Sequence, residues 1–170
     1  NKKPMISHTI ISAIQANIFD EVFVSTDDEK IARVSKKYGA KVILRAKNLS
    51  DDNAMVKEVC YDFISSLEQN GKKCNILCTL FATAPLRNAK DIKNVVNLIQ
   101  PGKCDFSLAV TSYDLPPHQA LKLSKNNFAK PYWPELINKK AKTIGDLVVD
   151  NGSTYAFNVR KFKKYKSFFG

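Results

Sequence analysis

A chain of 170 residues is long enough for one domain that buries about two thirds of its unfolded surface, so no disulfide or metal staple is needed to fold it. Its 44% hydrophobic and 25% charged residues, with a mean hydropathy of -0.26, exclude disordered, collagen-like and fibrous classes, and apolar runs of about six residues exclude a membrane-spanning helix. The formal net charge of +11 is uneven: residues 1–60 carry +2, 61–115 carry +1, and 116–170 carry +8 from 11 basic against 3 acidic side chains, a field that suits nucleic acid, anionic lipid or small anionic substrates alike.

Pro4 suits the first turn of a helix in which Ile6, Ile10, Ile11 and Ile14 share one face, and residues 21–25 then read as a short buried strand. Thr26 with Glu29 three residues on predicts a capping box for a helix carrying Ile31, Val34 and Tyr38. Gly39 ends that helix with a left-handed cap before a strand over 41–44. A polar loop of Ser50, Asp51, Asp52 and Asn53 precedes a helix striped by Val56, Val59, Cys60, Phe63 and Leu67, which closes at Asn70 and Gly71 before the apolar run 76–81. Asn88 predicts the cap of a helix bearing Ile92, Val95, Val96 and Ile99, ended by Pro101 and Gly102 and followed by a strand over 106–111. Beyond it Pro116, Pro117, Asn126, Asn127, Pro131 and Pro134 break the rhythm, so residues 113–150 read as hairpins and irregular structure before a strand over 153–159.

Helices alternating with apolar strands predict an α/β fold, a mostly parallel sheet with helices on both faces, joined by right-handed crossovers. Ligands in such sheets sit at the C-terminal ends of the strands. A doubly wound domain usually begins with a strand and a ligand-binding turn, so a chain that opens on a helix carries the expectation of a first strand and loop outside it.

Several segments place reactive or binding side chains at those ends. Ser25, Thr26, Asp27 and Asp28 serve either a ligand or an ordinary helix cap. Residues 81–87 run from a buried strand into small residues and a proline, where a flat base can lie against the backbone from Ala82 to Pro85, with Arg87 available for phosphate. Arg45, one residue past a strand, reads equally as a guanidinium for a base carbonyl or phosphate and as a solvated surface arginine. Adjacent Asp51 and Asp52 read as a solvated cap before a metal pair, and Cys74 with Cys78 read as core, because neither has further ligands nearby in sequence. His118, after two prolines, has a binding role at most. Lys139, Lys140 and Lys142 before the turn at 150–155 suit a carboxylate or a solvated face. The four cysteines, Cys60, Cys74, Cys78 and Cys104, lie in or beside apolar segments, and the expected compartment is the reducing cytoplasm.

Taken together, Phe19-Asp20-Glu21-Val22-Phe23-Val24-Ser25-Thr26-Asp27, Tyr38-Gly39-Ala40, Leu44-Arg45 with Leu49-Ser50-Asp51-Asp52, Thr83-Ala84-Pro85-Leu86 and Asn151-Gly152-Ser153-Thr154-Tyr155 resemble the acylneuraminate cytidylyltransferase family across nearly the whole chain. Residues 80–85, 120–123 and 131–135 look most like its pseudaminic acid cytidylyltransferases; sialic-acid enzymes tend to carry glutamine where Phe81 stands. The resemblance implies a Rossmann-like fold of the nucleotide-diphospho-sugar transferase type and a homodimeric enzyme. Its reaction would couple CTP to a nonulosonic acid, giving a CMP-sugar and pyrophosphate with Mg2+. By that mapping Arg45, Phe81, Thr83, Ala84 and Pro85 line the nucleotide pocket, while Gln119, Lys140, Asn151, Gly152 and Tyr155 face the sugar acid. Residues 1–170 would form a single cytidylyltransferase domain, with 113–150 as an insertion for dimerisation and sugar-acid binding.

The chain departs from the family's pattern in places. Gln119 and Lys140 stand where relatives carry a basic residue and an arginine, so a bidentate fork for the sugar carboxylate is lost. The family's first strand and Gly-Ser-Lys-type triphosphate loop would precede Asn1, and its Asp-rich magnesium segment would follow Gly170. The expectation is that this stretch alone binds weakly and turns over almost nothing. Alternatives stay open: a CMP-N-acetylneuraminic acid synthetase of the same family, a basic nucleic-acid-binding domain, and a catalytically silent dimerising relative.

Overall fold

The computed structural model describes residues 2–51 and 53–170. In chain order the elements are α1 (Met5–Ala16), β1 (Phe23–Thr26), α2 (Glu29–Lys37), β2 (Lys41–Leu44), α3 (Val56–Gln69), β3 (Ile76–Leu80), α4 (Ala89–Val96), β4 (Phe106–Ser112), β5 (Leu121–Leu123), β6 (Ala129–Pro131), α5 (Ala141–Ile144), β7 (Val148–Asn158) and α6 (Val159–Tyr165). They form two units, one of residues up to Ala109 together with Gly152–Gly170 and the other Val110–Asn151.

In the first unit β1 and β2 pair in parallel, Phe23 opposite Lys41 and Thr26 opposite Leu44, as the α2 crossover between them requires. β7 lies between β3 and β4 and runs antiparallel to β3, with Ile76 opposite Asn158 and Leu80 opposite Thr154. The parallel expectation therefore holds for β1 and β2, while the last strand runs against β3.

Alternation along β3 and β7 sends successive side chains to opposite faces. Leu77 and Phe157, paired across the strands, join Cys60 and Ile64 of α3 and Val159 and Phe162 around α6. Cys78 and Ala156, the next pair, face the other way, toward Val95 and Ile99, and Cys78 also meets Ala13, Ala16 and Ile92 of α1 and α4. Helices thus cover both faces, as expected.

Several local readings shift. The first helix forms, but its buried residues are Ser7, Thr9, Ile10, Ala13 and Ala16 rather than an isoleucine stripe, and Ile14 is left exposed. Small residues on that face let α1 lie close to α4. The cap of α2 is Asp28, whose carboxylate accepts the N–H groups of Lys30 and Ile31 at 2.6 and 2.9 Å, while the Thr26 hydroxyl accepts the Asp28 N–H. The capping box predicted for Thr26 is displaced by two residues because aspartate at 28 reaches the first-turn amides directly. Gly39 turns the chain after α2 as expected: its φ is +93°, and a Cβ there would stand 3.1 Å from the Ile14 Cδ1. Asn88 caps α4 and shares a capping box with Asp91. The strand predicted to reach 159 ends at Asn158, whose side chain caps α6.

In the second unit β5 and β6 form an antiparallel hairpin, Leu121 opposite Pro131 and Leu123 opposite Ala129, turned at Asn127 with φ 61°. Leu115, Leu121, Leu123, Phe128 and Tyr132 are all exposed, and His118 is buried.

The aromatic centre of the α3 and α6 face is the stack of Phe157 on Phe162, with ring centroids 4.3 Å apart and both side chains fully buried. Phe162→Ala is expected to cost about 3–5 kcal/mol, read from urea unfolding at unchanged m-value; a loss below about 1 kcal/mol would show that α6 does not close this core.

Candidate functional site

The C-terminal ends of β1, β2 and β3 hold the residues assigned to a nucleotide. At the first pair, the Arg45 Nε donates to the Ser25 hydroxyl at 3.2 Å and its Nη2 to the Ser25 carbonyl at 2.7 Å, while the Arg45 N–H reaches the Thr26 carbonyl at 2.9 Å. Arg45 is thus folded against the end of β1 and half-buried, rather than waving in solvent. It also lies close enough to the Cys60 thiol to lower its pKa, against a larger upward push from burial, and Cys60 Sγ sits 3.2 Å from the Thr79 hydroxyl of β3. The structure therefore brings Arg45 and the end of β3 into one neighbourhood.

From β3 the chain enters the loop 81–87. The Phe81 N–H donates to the Ser153 carbonyl at 3.0 Å, extending the β3–β7 ladder by one bond, and the Ala84 N–H turns back to the Phe81 carbonyl at 3.2 Å. Thr83 is exposed and Ala84 and Pro85 half-buried, so the loop presents small side chains and backbone at the strand end. The Phe81 ring packs against Tyr155, 5.6 Å between centroids.

Arg87 does not stand ready for a phosphate, as its sequence position suggests. It is buried, with Nη1 donating to the Ser153 carbonyl and, at 3.3 Å, to the Thr154 hydroxyl, and Nη2 donating to the Thr9 hydroxyl and the Phe81 carbonyl at 3.2 and 3.1 Å. Its own carbonyl accepts from the Ser12 hydroxyl at 2.9 Å. Burial lowers its pKa, opposed by the Cys78 and Asp91 charges.

On the sugar side the assigned residues divide between the units. Gln119, Lys140 and Asn151 belong to the second and are exposed; Gln119 ends a short turn, and the Lys140 carbonyl accepts from Thr143 at the start of α5. Gly152, with φ +65°, and Tyr155 belong to the first. Tyr155 is buried, its ring stacked on Phe168 at 4.8 Å as well as against Phe81. The periodicity of 153–159 carried no sign of this aromatic stack, because Phe168 lies beyond a helix that the sequence reading did not contain.

The positive charge of the last third is also redistributed. Five of its 11 basic residues, Arg160, Lys161, Lys163, Lys164 and Lys166, fall on α6 or just after it. Lys161 pairs with Asp105 at 3.3 Å and Lys163 with Glu68 at 2.7 Å, while Lys164 and Lys166 lie over the rings of Tyr165 and Tyr61. Much of the charge attributed to substrate attraction is therefore engaged along α6.

Among the described residues no group of three or more His, Cys, Asp or Glu side chains gathers to hold a metal. Asp51 is exposed and accepts the Asn53 N–H at 3.0 Å; Asp52, its expected neighbour in a metal pair, lies outside the described residues. The described residues do not fit a metal site. Cys74 and Cys78 are free and pack in the hydrophobic clusters on either face. No helix among the described residues is long and apolar enough to cross a membrane.

The family described as "Cytidylyltransferase" matches residues 1–129 of this chain. A pseudaminic acid cytidylyltransferase of Campylobacter jejuni is 34% identical over 90% of this chain and 66% of its own length. An N-acylneuraminate cytidylyltransferase of Streptococcus agalactiae is 29% identical over 98% of this chain and 40% of its own length. The chain thus spans just under two thirds of the first relative and well under half of the second. Among solved structures, a CMP:2-keto-3-deoxy-manno-octonic acid synthetase complexed with CTP superposes with a TM-score of 0.68 at 16% identity, covering 96% of this chain and 66% of that one. That likeness establishes the nucleotidyltransferase-type α/β fold.

Burial raises the Cys60 thiol to about 11 and the Cys78 thiol to about 12. At pH 8 the Cys60 thiolate is then roughly 1 in 1,000 of the population, so iodoacetamide should leave both thiols unmodified in the native protein and alkylate all four cysteines in urea. Native labelling of Cys78 at the unfolded rate, read by peptide mass, would contradict its place in the core.

Proposed function

The chain belongs to the cytidylyltransferase family, and we propose that it serves a cytidylyltransferase that couples CTP to a nonulosonic acid, pseudaminic acid before N-acetylneuraminic acid, releasing pyrophosphate. The observation that carries this reading is the 34% identity to a pseudaminic acid cytidylyltransferase along 90% of the chain. The loop that follows β3 supports it, because small side chains and backbone there suit the close approach of a flat base.

In this reading the cytosine of CTP lies against Phe81, Thr83, Ala84 and Pro85, with Arg45 held by Ser25 at the neighbouring strand ends. Gln119, Lys140, Asn151 and Gly152 address the sugar acid, the Lys140 ammonium acting as a point charge for its carboxylate. Tyr155, assigned by the resemblance to the sugar-acid side, is buried and packs against the Phe81 ring, so it supports the site through that contact. The anomeric hydroxyl attacks the α-phosphorus in line as the bond to pyrophosphate breaks, so the protein's task is to align two anions and offset their charge. We assign Mg2+ as the cofactor of the whole reaction, with ligands other than those described here, and the cytoplasm as its compartment, which suits four unpaired thiols.

We also propose that residues 113–150 mediate a homodimer. The support is chemical: Leu115, Leu121, Leu123, Phe128 and Tyr132 are exposed within a short stretch of sequence, and exposed apolar side chains are what an interface between chains covers. A second copy of the same hairpin is the self-complementary partner that two-fold symmetry supplies. Light scattering at micromolar concentration should give twice the chain mass, and Phe128→Asp with Leu121→Asp should return it to the monomer; a wild-type monomer under these conditions ends the dimer reading.

CTP should raise the melting temperature more than ATP or GTP, since a matched base adds hydrogen bonds to a shared phosphate attraction. At a free concentration a hundredfold above Kd the stabilisation is about 2.7 kcal/mol. Equal shifts for the three nucleotides would reduce the binding to charge. CMP-sugar formation from CTP with pseudaminic acid and N-acetylneuraminic acid in parallel then identifies the acceptor.

A further inference from the structure

A guanidinium that is shielded from water must satisfy its donors internally. Arg87 does so at Nη1 and Nη2, with four oxygens from three separate parts of the first unit: the Thr9 hydroxyl on α1, the Phe81 carbonyl at the end of β3, and the Ser153 carbonyl and Thr154 hydroxyl on β7. Among the described residues its Nε has no hydrogen-bond partner, and no ion pair to a carboxylate forms. A buried cation held by neutral oxygens is an expensive way to stabilise a core that apolar side chains would fill better.

What the arrangement does achieve is geometric. The loop begins at Phe81 and ends at Arg87, and the Arg87 side chain reaches back to hold the Phe81 carbonyl while its main-chain N–H bonds the Ala84 carbonyl at 3.4 Å. The Ser153 carbonyl accepts from both the Phe81 N–H and the Arg87 guanidinium, which fixes the loop's first residue against β7. One side chain therefore sets both the span of the loop and its register on the strand that carries Tyr155.

We propose that Arg87 is a positioning residue for nucleobase specificity: through the Phe81 and Ser153 carbonyls it holds residues 82–86 in the one conformation that distinguishes cytosine, and it makes no contact with phosphate. This rests on the reading that the loop takes the base of CTP. A planar fork is required, because a single ammonium cannot meet Phe81, Ser153, Thr154 and Thr9 with the same geometry.

The test uses Arg87→Lys, which keeps the charge, and Arg87→Met, which removes it, each with two measurements. Hydrogen exchange at the Thr83 and Ala84 amides of the ligand-free protein should rise about tenfold or more in both variants, the loss of one charged hydrogen bond. CTP affinity in Arg87→Lys should fall about tenfold, while affinities for ATP and inorganic pyrophosphate change by less than about twofold, so that the preference for CTP disappears. Unchanged amide exchange overturns the clamp. A parallel loss of CTP, ATP and pyrophosphate in Arg87→Met that Arg87→Lys restores makes Arg87 a phosphate ligand and overturns the proposal as well. Should Arg87→Met fail to fold, Arg87→Lys alone decides between these outcomes. If the wild-type chain binds the three ligands without preference, the CTP reading falls, and the exchange result still decides whether Arg87 fixes the loop.

Discussion

The β3–β7 pair is the constraint on which the first unit depends. Each strand places alternate residues on opposite faces, and each face must find its own apolar cover. Leu77 and Phe157 find it in α3 and α6, Cys78 and Ala156 in α1 and α4. Because the pairing register is shared, moving either strand by one residue would exchange both faces at once and expose Phe157 to a surface built for Ala156. The end of that ladder is also fixed by it: the Phe81 N–H bonded to Ser153 is the last rung, and the loop 81–87 begins where the rungs stop.

Polar chemistry takes over at that point. Beyond Leu80 the loop has mostly small side chains; Leu86 is exposed, and Phe81 leans on Tyr155. Hydrogen bonds from Arg87, Ser12 and Ala84 supply the order that packing does not. Arg45 follows the same pattern at the neighbouring strand ends, where Ser25 holds it through two bonds. Both arginines are positioned by carbonyls and hydroxyls rather than by carboxylates; Arg45 is half-buried at the edge and Arg87 sealed inside.

The fold was legible wherever a local signal controlled a local outcome. Asn88 as the cap of α4, Gly39, Gly71 and the strand over 41–44 all occur as their residue types dictate. What escaped was set by tertiary partners. The isoleucines of α1 suggested one buried stripe, yet close approach to α4 favoured Ser7, Thr9, Ala13 and Ala16. α6 was hidden because Val159 prolongs the apolar run of β7, and seven residues with only Val159 and Phe162 buried leave little helical period to detect. At the candidate site the loop 81–85 and Arg45 were readable as strand-end positions. Arg87 was not, since an arginine after a proline-containing loop looks the same in sequence whether it faces solvent or four oxygens of its own core.

Charge shows the same division between what a sequence counts and what a structure commits. The 11 basic residues of the last third divide into five cations on or just after α6, four of them engaged with Asp105, Glu68, Tyr165 and Tyr61, and six lysines in the second unit, which also carries Asp114, Glu135, Asp146 and Asp150. The α6 group stabilises its own surroundings: Lys161 and Lys163 reach carboxylates held by the loop before β4 and by α3, tying the last helix to elements on both sides of its core. Of the remaining six, Lys139, Lys140 and Lys142 cluster around the start of α5, so the positive field available to an anionic substrate is narrower than a net of +8 implies. A field that narrow attracts a carboxylate at close range and decays within a Debye length of about 8 Å in physiological salt. In the proposed function, recognition of the sugar acid then depends on placement of a few donors, as recognition of the base depends on the backbone of one loop.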